Sequence, residues 1–201
     1  MSELILYDFP ESANSYKVRL LFSFMQKSYK LVKVDGLKGG SRTPEFYKKN
    51  VDRRLPVLEL EDGTALAESN AILYYLSQGT RYFSENHLEQ TQILRWMFFE
   101  QSRIECHIGT LRFRLQHIDE RLLEVEDNLK RRGIDALGVM DDHLKNHDFF
   151  GLGRFTIADI ALYGYTHVTG EAGIELSNFP NIQTWIKRVE ERERFIPFTE
   201  R

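Results

Sequence analysis

Three short stretches of this chain carry residue types that could do chemistry together. Ser12-Ala13-Asn14-Ser15 places hydroxyls and an amide in a polar turn just ahead of an apolar helix. A hydroxyl donated to a thiolate favours the ionised form and lowers the thiol pKa. Each unit of that shift is worth about 1.4 kcal/mol. Such a donor acts by being preorganised and need not ionise itself. The same residues are helix N-cap types. Capping by Ser12 or Asn14 is therefore the structural alternative, and one residue can do both jobs. Glu68-Ser69-Asn70 opens a second helix. A helix N-terminus attracts a carboxylate through its N–H groups and its dipole. The Ser69 hydroxyl adds a donor, and Glu68 can take an ammonium group, so the pair would clamp an α-amino acid. Plain capping by Ser69, with Glu68 complementing the dipole, is the alternative. Leu55-Pro56 stands at the entry of a strand, where proline removes a ladder donor. A cis bond there would turn the N–H and C=O of Leu55 outward to pair with a bound peptide backbone. An ordinary trans proline opening an edge strand is the alternative.

The elements that must position these residues follow from the apolar pattern. Leu4 to Phe9 reads as a buried strand ended by Pro10, and Val18, Leu21, Phe22 and Met25 recur at helical spacing. Tyr29 to Val34 is a second strand. Thr43-Pro44-Glu45-Phe46 starts a short helix, with proline at a first position that tolerates it. Val57 to Leu60 is a strand, Asp62-Gly63 signals a hairpin, Ala65-Leu66-Ala67 is the partner strand, and Ser69 opens a helix bearing Ile72, Leu73 and Leu76. The order β-α-β-α-β-β-α implies a small mixed sheet with helices packed on it, the thioredoxin-like arrangement.

Strand signals end near residues 77–88. Helices are expected over Gln92–Leu115, Ile118–Lys130, Ile134–Leu144, Ile157–Thr166 and Ile182–Val189. The expectation is an α/β domain over residues 1–79 and an all-α domain over residues 88–201. Thr156-Ile157-Ala158-Asp159 reads as a capping box with Asp in the third position, a structural rather than a catalytic aspartate. On the long helix the aromatics Trp96, Phe98 and Phe99 read as core. Phe99, Arg103 and either Cys106 or His107 share a face at helical spacing. The histidines show no ligand spacing, so no metal is expected. The mixed charges of Glu120 to Arg132 read as a solvated helix face.

Composition narrows the function classes. The chain has 201 residues, 42% apolar, with 27 basic and 30 acidic residues and a net charge of −3. That balance supplies no dense basic face for nucleic acid. The single cysteine, Cys106, cannot make an intramolecular disulfide or a cysteine zinc cluster. No secretory pattern and no run of roughly 20 apolar residues is present, so the expectation is a cytoplasmic protein that does not enter a membrane.

The stretches Y-D-F-P-E-S-A-N-S-Y-K-V-R-L, R-T-P-E-F, R-R-L-P-V-L-E and A-E-S-N-A-I-L-Y-Y-L occur in this order and together resemble the glutathione-binding domain of cytosolic glutathione transferases. F-T-I-A-D-I-A-L-Y resembles the helix-start motif of the family's second domain, and the likeness runs to about Pro197. The resemblance implies roles. Ser12 stands at the catalytic serine position, and Asn14 where some members use asparagine. Leu55, beside a cis Pro56, would pair with the cysteinyl unit of glutathione, and Glu68 and Ser69 would hold its γ-glutamyl end. Arg54, with Arg42 and Lys38, would meet the glycine carboxylate. Phe9, Arg103, Cys106 and His107 would line the pocket for a small electrophile. Glutathione would be the co-substrate, with no metal, and the family is typically homodimeric. Departures count too. Ala13-Asn14 replaces the cysteine of the maleylacetoacetate isomerase-like class, and no cysteine occupies the turn as in classes that form mixed disulfides. Tyr7 lies where tyrosine-type classes keep their catalytic residue. Reduction of peroxides or disulfides on the same site, and a non-catalytic interaction or regulatory role, remain as alternatives.

Overall fold

A computed structural model describes residues 3–199. The chain divides into two compact units. One is built from the residues up to Gln78 together with the segment from Glu193 onward, and the other is Gly79–Arg192.

The first unit has the expected thioredoxin-like order: β1 (Ile5–Asp8), α1 (Ala13–Met25), β2 (Lys30–Lys33), α2 (Pro44–Tyr47), β3 (Val57–Glu59), β4 (Ala65–Ala67) and α3 (Ser69–Ser77). The four strands form one mixed sheet in the order β2-β1-β3-β4, parallel only between β1 and β2. Leu6 and Leu58 pair in register and are fully buried. On α1, Val18, Leu20, Leu21 and Phe22 are buried and pack with α3, whose Ile72, Leu73 and Leu76 face inward. Asp62-Gly63 makes the hairpin, with Leu60 and Thr64 joined backbone to backbone at 2.8 Å. The segment from Glu193, expected in the helical domain, packs instead on α1. The Tyr16 hydroxyl donates to Ile196 O at 2.6 Å, Ser23 Oγ donates to Arg194 O at 2.7 Å, and the Tyr16 ring meets Phe198 edge-on.

The second unit is all helical, with two departures from the apolar pattern. The long helix runs as α4 (His87–Phe99), a π-helical stretch (Glu100–Gly109) and α5 (Thr110–His117). A ten-residue window does not distinguish π from α periodicity. Within the stretch Ile104, Ile108 and Gly109 are buried, and a Cβ on Gly109 would lie 2.8 Å from the Tyr165 ring. The expected break near Gly133 is absent. One helix, α6 (Leu123–Leu144), passes through it, because the glycine serves close approach and not termination: a Cβ there would sit 2.9 Å from Ile108. Helices α7 (Ile157–Thr166) and α8 (Pro180–Glu190) complete the unit. Trp96 is buried as expected, whereas Phe98 is 70% exposed. In the charged run Glu126 is not solvated. It is buried and takes paired hydrogen bonds from Arg121.

The capping box forms as expected. Thr156 Oγ1 accepts from Ala158 N, and Asp159 returns a bond to Thr156 N at 2.9 Å. Asp159 also accepts from Phe150 N and from Trp185 Nε1 at 3.0 Å. Burial raises its pKa from 3.8 to about 7 despite these bonds. At the other end of α7, burial pushes His167 from 6.5 down to about 4, while its Nδ1 bonds to Tyr163 O at 2.7 Å. The two groups act on stability with opposite signs. Between about pH 4 and 6.5 the unfolded imidazole binds a proton that the folded one refuses, so the His167 contribution rises with pH. From about pH 4 to 7 the folded Asp159 keeps a proton that the unfolded chain has lost, so its contribution falls with pH. We expect His167→Phe, which keeps the ring stacked on Tyr163, to remove the rising limb. Urea midpoints of the variant then drop from pH 4 to 6.5 relative to the wild type. Parallel profiles for the two proteins would exclude a buried neutral imidazole.

Candidate functional site

The turn after β1 is built by its own hydrogen bonds. Ser12 N donates to Phe9 O at 2.9 Å, and Phe9 N donates to Ser15 Oγ at 3.2 Å. Ser12 is the N-cap of α1, its Oγ accepting from Ser15 N at 3.3 Å. Accepting uses a lone pair and leaves the hydroxyl hydrogen to donate, so capping and thiolate stabilisation are compatible in one residue. Asn14 is the second residue of α1. Its Oδ1 accepts from Lys17 Nζ at 2.8 Å and from Ser69 Oγ at 3.1 Å. That second bond spans 55 positions and brings the turn and the start of α3 together.

The start of α3 differs from simple capping. Glu68 occupies the N-cap position with φ 69° and ψ 114°, and no side chain caps the helix. A non-glycine residue in the left-handed half of φ space is uncommon and is a pointer to function. The Ser69 hydroxyl donates to Asn14 Oδ1. Glu68 is exposed.

Leu55-Pro56 is a cis peptide, with Pro56 buried. Asn50 Nδ2 donates to Arg54 O at 3.0 Å and holds the preceding loop. Leu55 lies near the turn: both its Cδ1 and the Phe9 ring come within 3.8 Å of an ideal Cβ on Gly36. Phe9 and Lys38 line one cavity of about 430 Å³ with Pro10, Glu11, Lys33 and Asp35. The three cationic candidates are peripheral. Arg54 is 77% exposed and pairs with Asp52 at 2.9 Å, Lys38 pairs with Asp35 at 3.6 Å, and Arg42 is exposed. The backbone N–H of Lys38 is the main reason the Asp35 carboxyl sits below its ordinary range. Tyr7 is occupied elsewhere. Its hydroxyl donates to Glu59 Oε2 at 2.9 Å and its ring meets Phe46 edge-on, with Lys49 bonded to the same carboxylate.

Arg103, Cys106 and His107 lie on the π-helical stretch of the second unit, while Phe9 belongs to the first. The Arg103 guanidinium is 5.9 Å from the Phe99 ring centre. Cys106 Sγ donates to Ser102 O, and burial followed by the Glu105 charge raises its pKa, so this thiol is not an activated nucleophile. His107 Nδ1 bonds to Arg103 O at 2.8 Å. Among the described residues no group of three or more His, Cys, Asp or Glu is placed to hold a metal, and no helix is long and apolar enough to cross a membrane.

Lys17 was not singled out among the candidates. Its signal lay in the sequence: a lysine three residues after Asn14 on a helix otherwise buried through Tyr16, Val18, Leu20 and Leu21.

A thioredoxin-like unit joined to an all-helical unit, with a polar turn hydrogen-bonded to the start of α3, defines a recognisable class of two-part protein. The glutathione S-transferase N-terminal domain model matches residues 2–78 and the C-terminal domain model matches residues 103–193. The chain belongs to the glutathione S-transferase family. It is 39% identical to a glutathione S-transferase from Pseudomonas fluorescens Pf-5, with TM-score 0.96 over 99% of this chain and 100% of that one. It is 45% identical to a possible glutathione S-transferase from Rhodopseudomonas palustris, with TM-score 0.92 over 97% of this chain and 89% of that one. Among curated relatives, the disulfide-bond oxidoreductase YfcG of Escherichia coli K12 is 26% identical over 92% of this chain and 89% of its own. Elongation factor 1-gamma of Artemia salina is 30% identical over 83% of this chain, which spans only 40% of that protein.

Proposed function

We propose that the chain is a glutathione transferase that adds the glutathione thiolate to a small electrophilic carbon. The observation that carries this reading is the Ser69 Oγ to Asn14 Oδ1 bond, which joins the thiolate-stabilising turn to the amino-acid clamp. Ser12 and Asn14 are the donors to sulfur. Leu55 pairs through its backbone with the cysteinyl unit. Glu68 takes the γ-glutamyl ammonium, and the uncapped N-terminus of α3 at Ser69 takes its carboxylate. Arg54, Arg42 and Lys38 serve the glycine carboxylate from the loops around the site. Phe9 lines a cavity beside the turn. Orientation and thiolate stabilisation supply the rate, and no metal enters the reading. The same reading makes the protein a cytoplasmic homodimer. Titration calorimetry with reduced glutathione tests it first: we expect saturable heat and a thermal upshift at millimolar ligand. Absence of both would overturn the proposal.

A second reading, glutathione-dependent reduction of disulfides or peroxides, is favoured by the likeness to the disulfide-bond oxidoreductase. The likeness to elongation factor 1-gamma favours a non-catalytic interaction role. A panel comparing an aryl halide, a peroxide and a mixed disulfide separates the three.

A further inference from the structure

The first unit holds a second cavity that shares no residue with the candidate glutathione site. Its volume is about 440 Å³, and its lining includes Arg19 and Phe22 of α1, Lys27 and Tyr29 beyond the helix end, and Arg194 and Ile196 of the segment packed on α1. That volume lies within the range of small-molecule sites, about 300–1,000 Å³. The Phe22 and Tyr29 rings stack at 4.2 Å and give the cavity an aromatic wall. The segment bearing Arg194 and Ile196 is fixed by α1. Ser23 Oγ donates to Arg194 O at 2.7 Å, and the Tyr16 hydroxyl donates to Ile196 O at 2.6 Å. Arg194 is held at φ 72°, a costly conformation for a non-glycine residue.

Arg19, Lys27 and Arg194 are cations, and no acidic residue is among the described residues lining the cavity. Arg19 is 2% exposed. It reaches Asp8 at 3.5 Å and Pro10 O at 3.4 Å, both at the long end of the hydrogen-bond range. Its Nε is buried without a hydrogen-bond partner among the described residues, and a buried donor left unpaired is costly. Arg194 pairs with its neighbour Glu193 at 3.4 Å, and among the described residues nothing pairs with the exposed Lys27 side chain. Counting Asp8 and Glu193 against the three cations leaves one positive charge. Carbonyls at a helix end would repel an anion. Here Gln26 N donates to Ser23 O at 3.0 Å and Lys27 N donates to Phe22 O at 3.1 Å, which satisfies them. Burial raises the pKa of the Tyr29 phenol, so its hydroxyl stays protonated and able to donate.

We propose that this cavity binds a planar aromatic monoanion, a carboxylate or sulfonate carried on a ring system, apart from the glutathione site. The ring lies against Phe22, Tyr29 and Ile196. The anionic group meets Lys27 and Arg194, with the buried Arg19 charge behind them. Both parts of the ligand are needed. Exposed cations alone hold an ion weakly, and the aromatic wall adds the contact area that a bare ion lacks. One surplus positive charge suits a monoanion. The proposal does not depend on the transferase reading.

The test titrates the full chain with anilinonaphthalene sulfonate and follows its fluorescence. We expect saturable binding that persists when S-hexylglutathione is added. Lys27→Gln combined with Arg194→Gln should weaken the dye about tenfold, the loss expected for two exposed charge contacts. Both side chains are exposed, and the Arg194 carbonyl that accepts from Ser23 is unchanged, so the variant keeps its fold. N-phenylnaphthylamine, the same ring system without the sulfonate, should bind more weakly to the wild type and equally to the variant. Tyr29→Leu should weaken both dyes. Four results would overturn the proposal. They are no binding of the sulfonate, its complete displacement by S-hexylglutathione, an unchanged affinity in the double variant, and a neutral dye that binds the wild type as tightly as the sulfonate. Should Tyr29→Leu not fold, the charge variant and the neutral dye decide the question without it.

Discussion

We expect replacement of Ser12 and Asn14 together by alanine to lower kcat/KM for addition of glutathione to a small activated aryl halide by about 100-fold. Each residue brings one donor to the turn after β1. Ser12 keeps its hydroxyl hydrogen because Oγ accepts from Ser15 N, and Asn14 turns its oxygen end to Lys17 and Ser69. A thiolate loses both stabilising donors in the double variant and returns toward the ionisation of a free thiol. Affinity for S-methylglutathione is expected to fall far less than the rate, because the Glu68 carboxylate and the N-terminus of α3 remain, although Asn14→Ala frees the Ser69 hydroxyl. The single variants divide the effect. If the hydroxyl carries it, Ser12→Ala reproduces most of the loss; if the amide does, Asn14→Ala does so. Ser12→Ala also removes the N-cap of α1, costing about 1 kcal/mol of stability, so rates are compared well below the unfolding temperature. Unchanged turnover in the double variant would favour the non-catalytic reading.

We expect Asp159→Ala to destabilise the second unit by about 3–5 kcal/mol, a loss that urea unfolding would measure. The carboxylate closes the capping box and satisfies Phe150 N, Thr156 N and Trp185 Nε1 within a fully buried pocket. Truncation leaves those donors without an acceptor, and Trp185 is itself fully buried. For a chain of this size the melting temperature falls by roughly 10 °C. Asp159→Asn, which retains one acceptor oxygen and sets an N–H against the other donors, loses an intermediate amount. A loss near 1 kcal/mol, the usual value of a cap alone, would show that the tryptophan and Phe150 contacts contribute little. Glutathione affinity is expected to survive at temperatures where the variant stays folded, since Asp159 lies in the unit that lacks the Ser12, Leu55 and Ser69 elements.

Much of this was legible along the chain because the signals are local. A strand of alternating burial, a proline at a first helical position, an Asp-Gly hairpin and a threonine with an acid three residues on each depend on a few neighbouring residues. Their elements formed close to where the pattern put them. The candidate residues Ser12, Asn14, Leu55, Pro56, Glu68 and Ser69 were also legible, as residue types at element starts. Errors came where a local signal had two meanings. Gly133 resembles a helix break, yet it is small because Ile108 approaches it. Glu126 resembles part of a solvated face, yet it is buried and paired with Arg121.

The sequence by itself determined the thioredoxin-like order of the first unit, the helical character of the second, and the polar turn and helix start to which we assign the proposed chemistry. Those depend on short-range periodicity and capping. Only the tertiary structure decided what each polar group does with its hydrogen bonds. It set the Ser69 hydroxyl on Asn14 instead of on its own helix, committed the Tyr7 hydroxyl to Glu59, and buried Lys17 against the Asn14 amide. Two of these partners are some 50 positions away along the chain, and a hydrogen bond depends on distance and direction in space, which residue order does not encode.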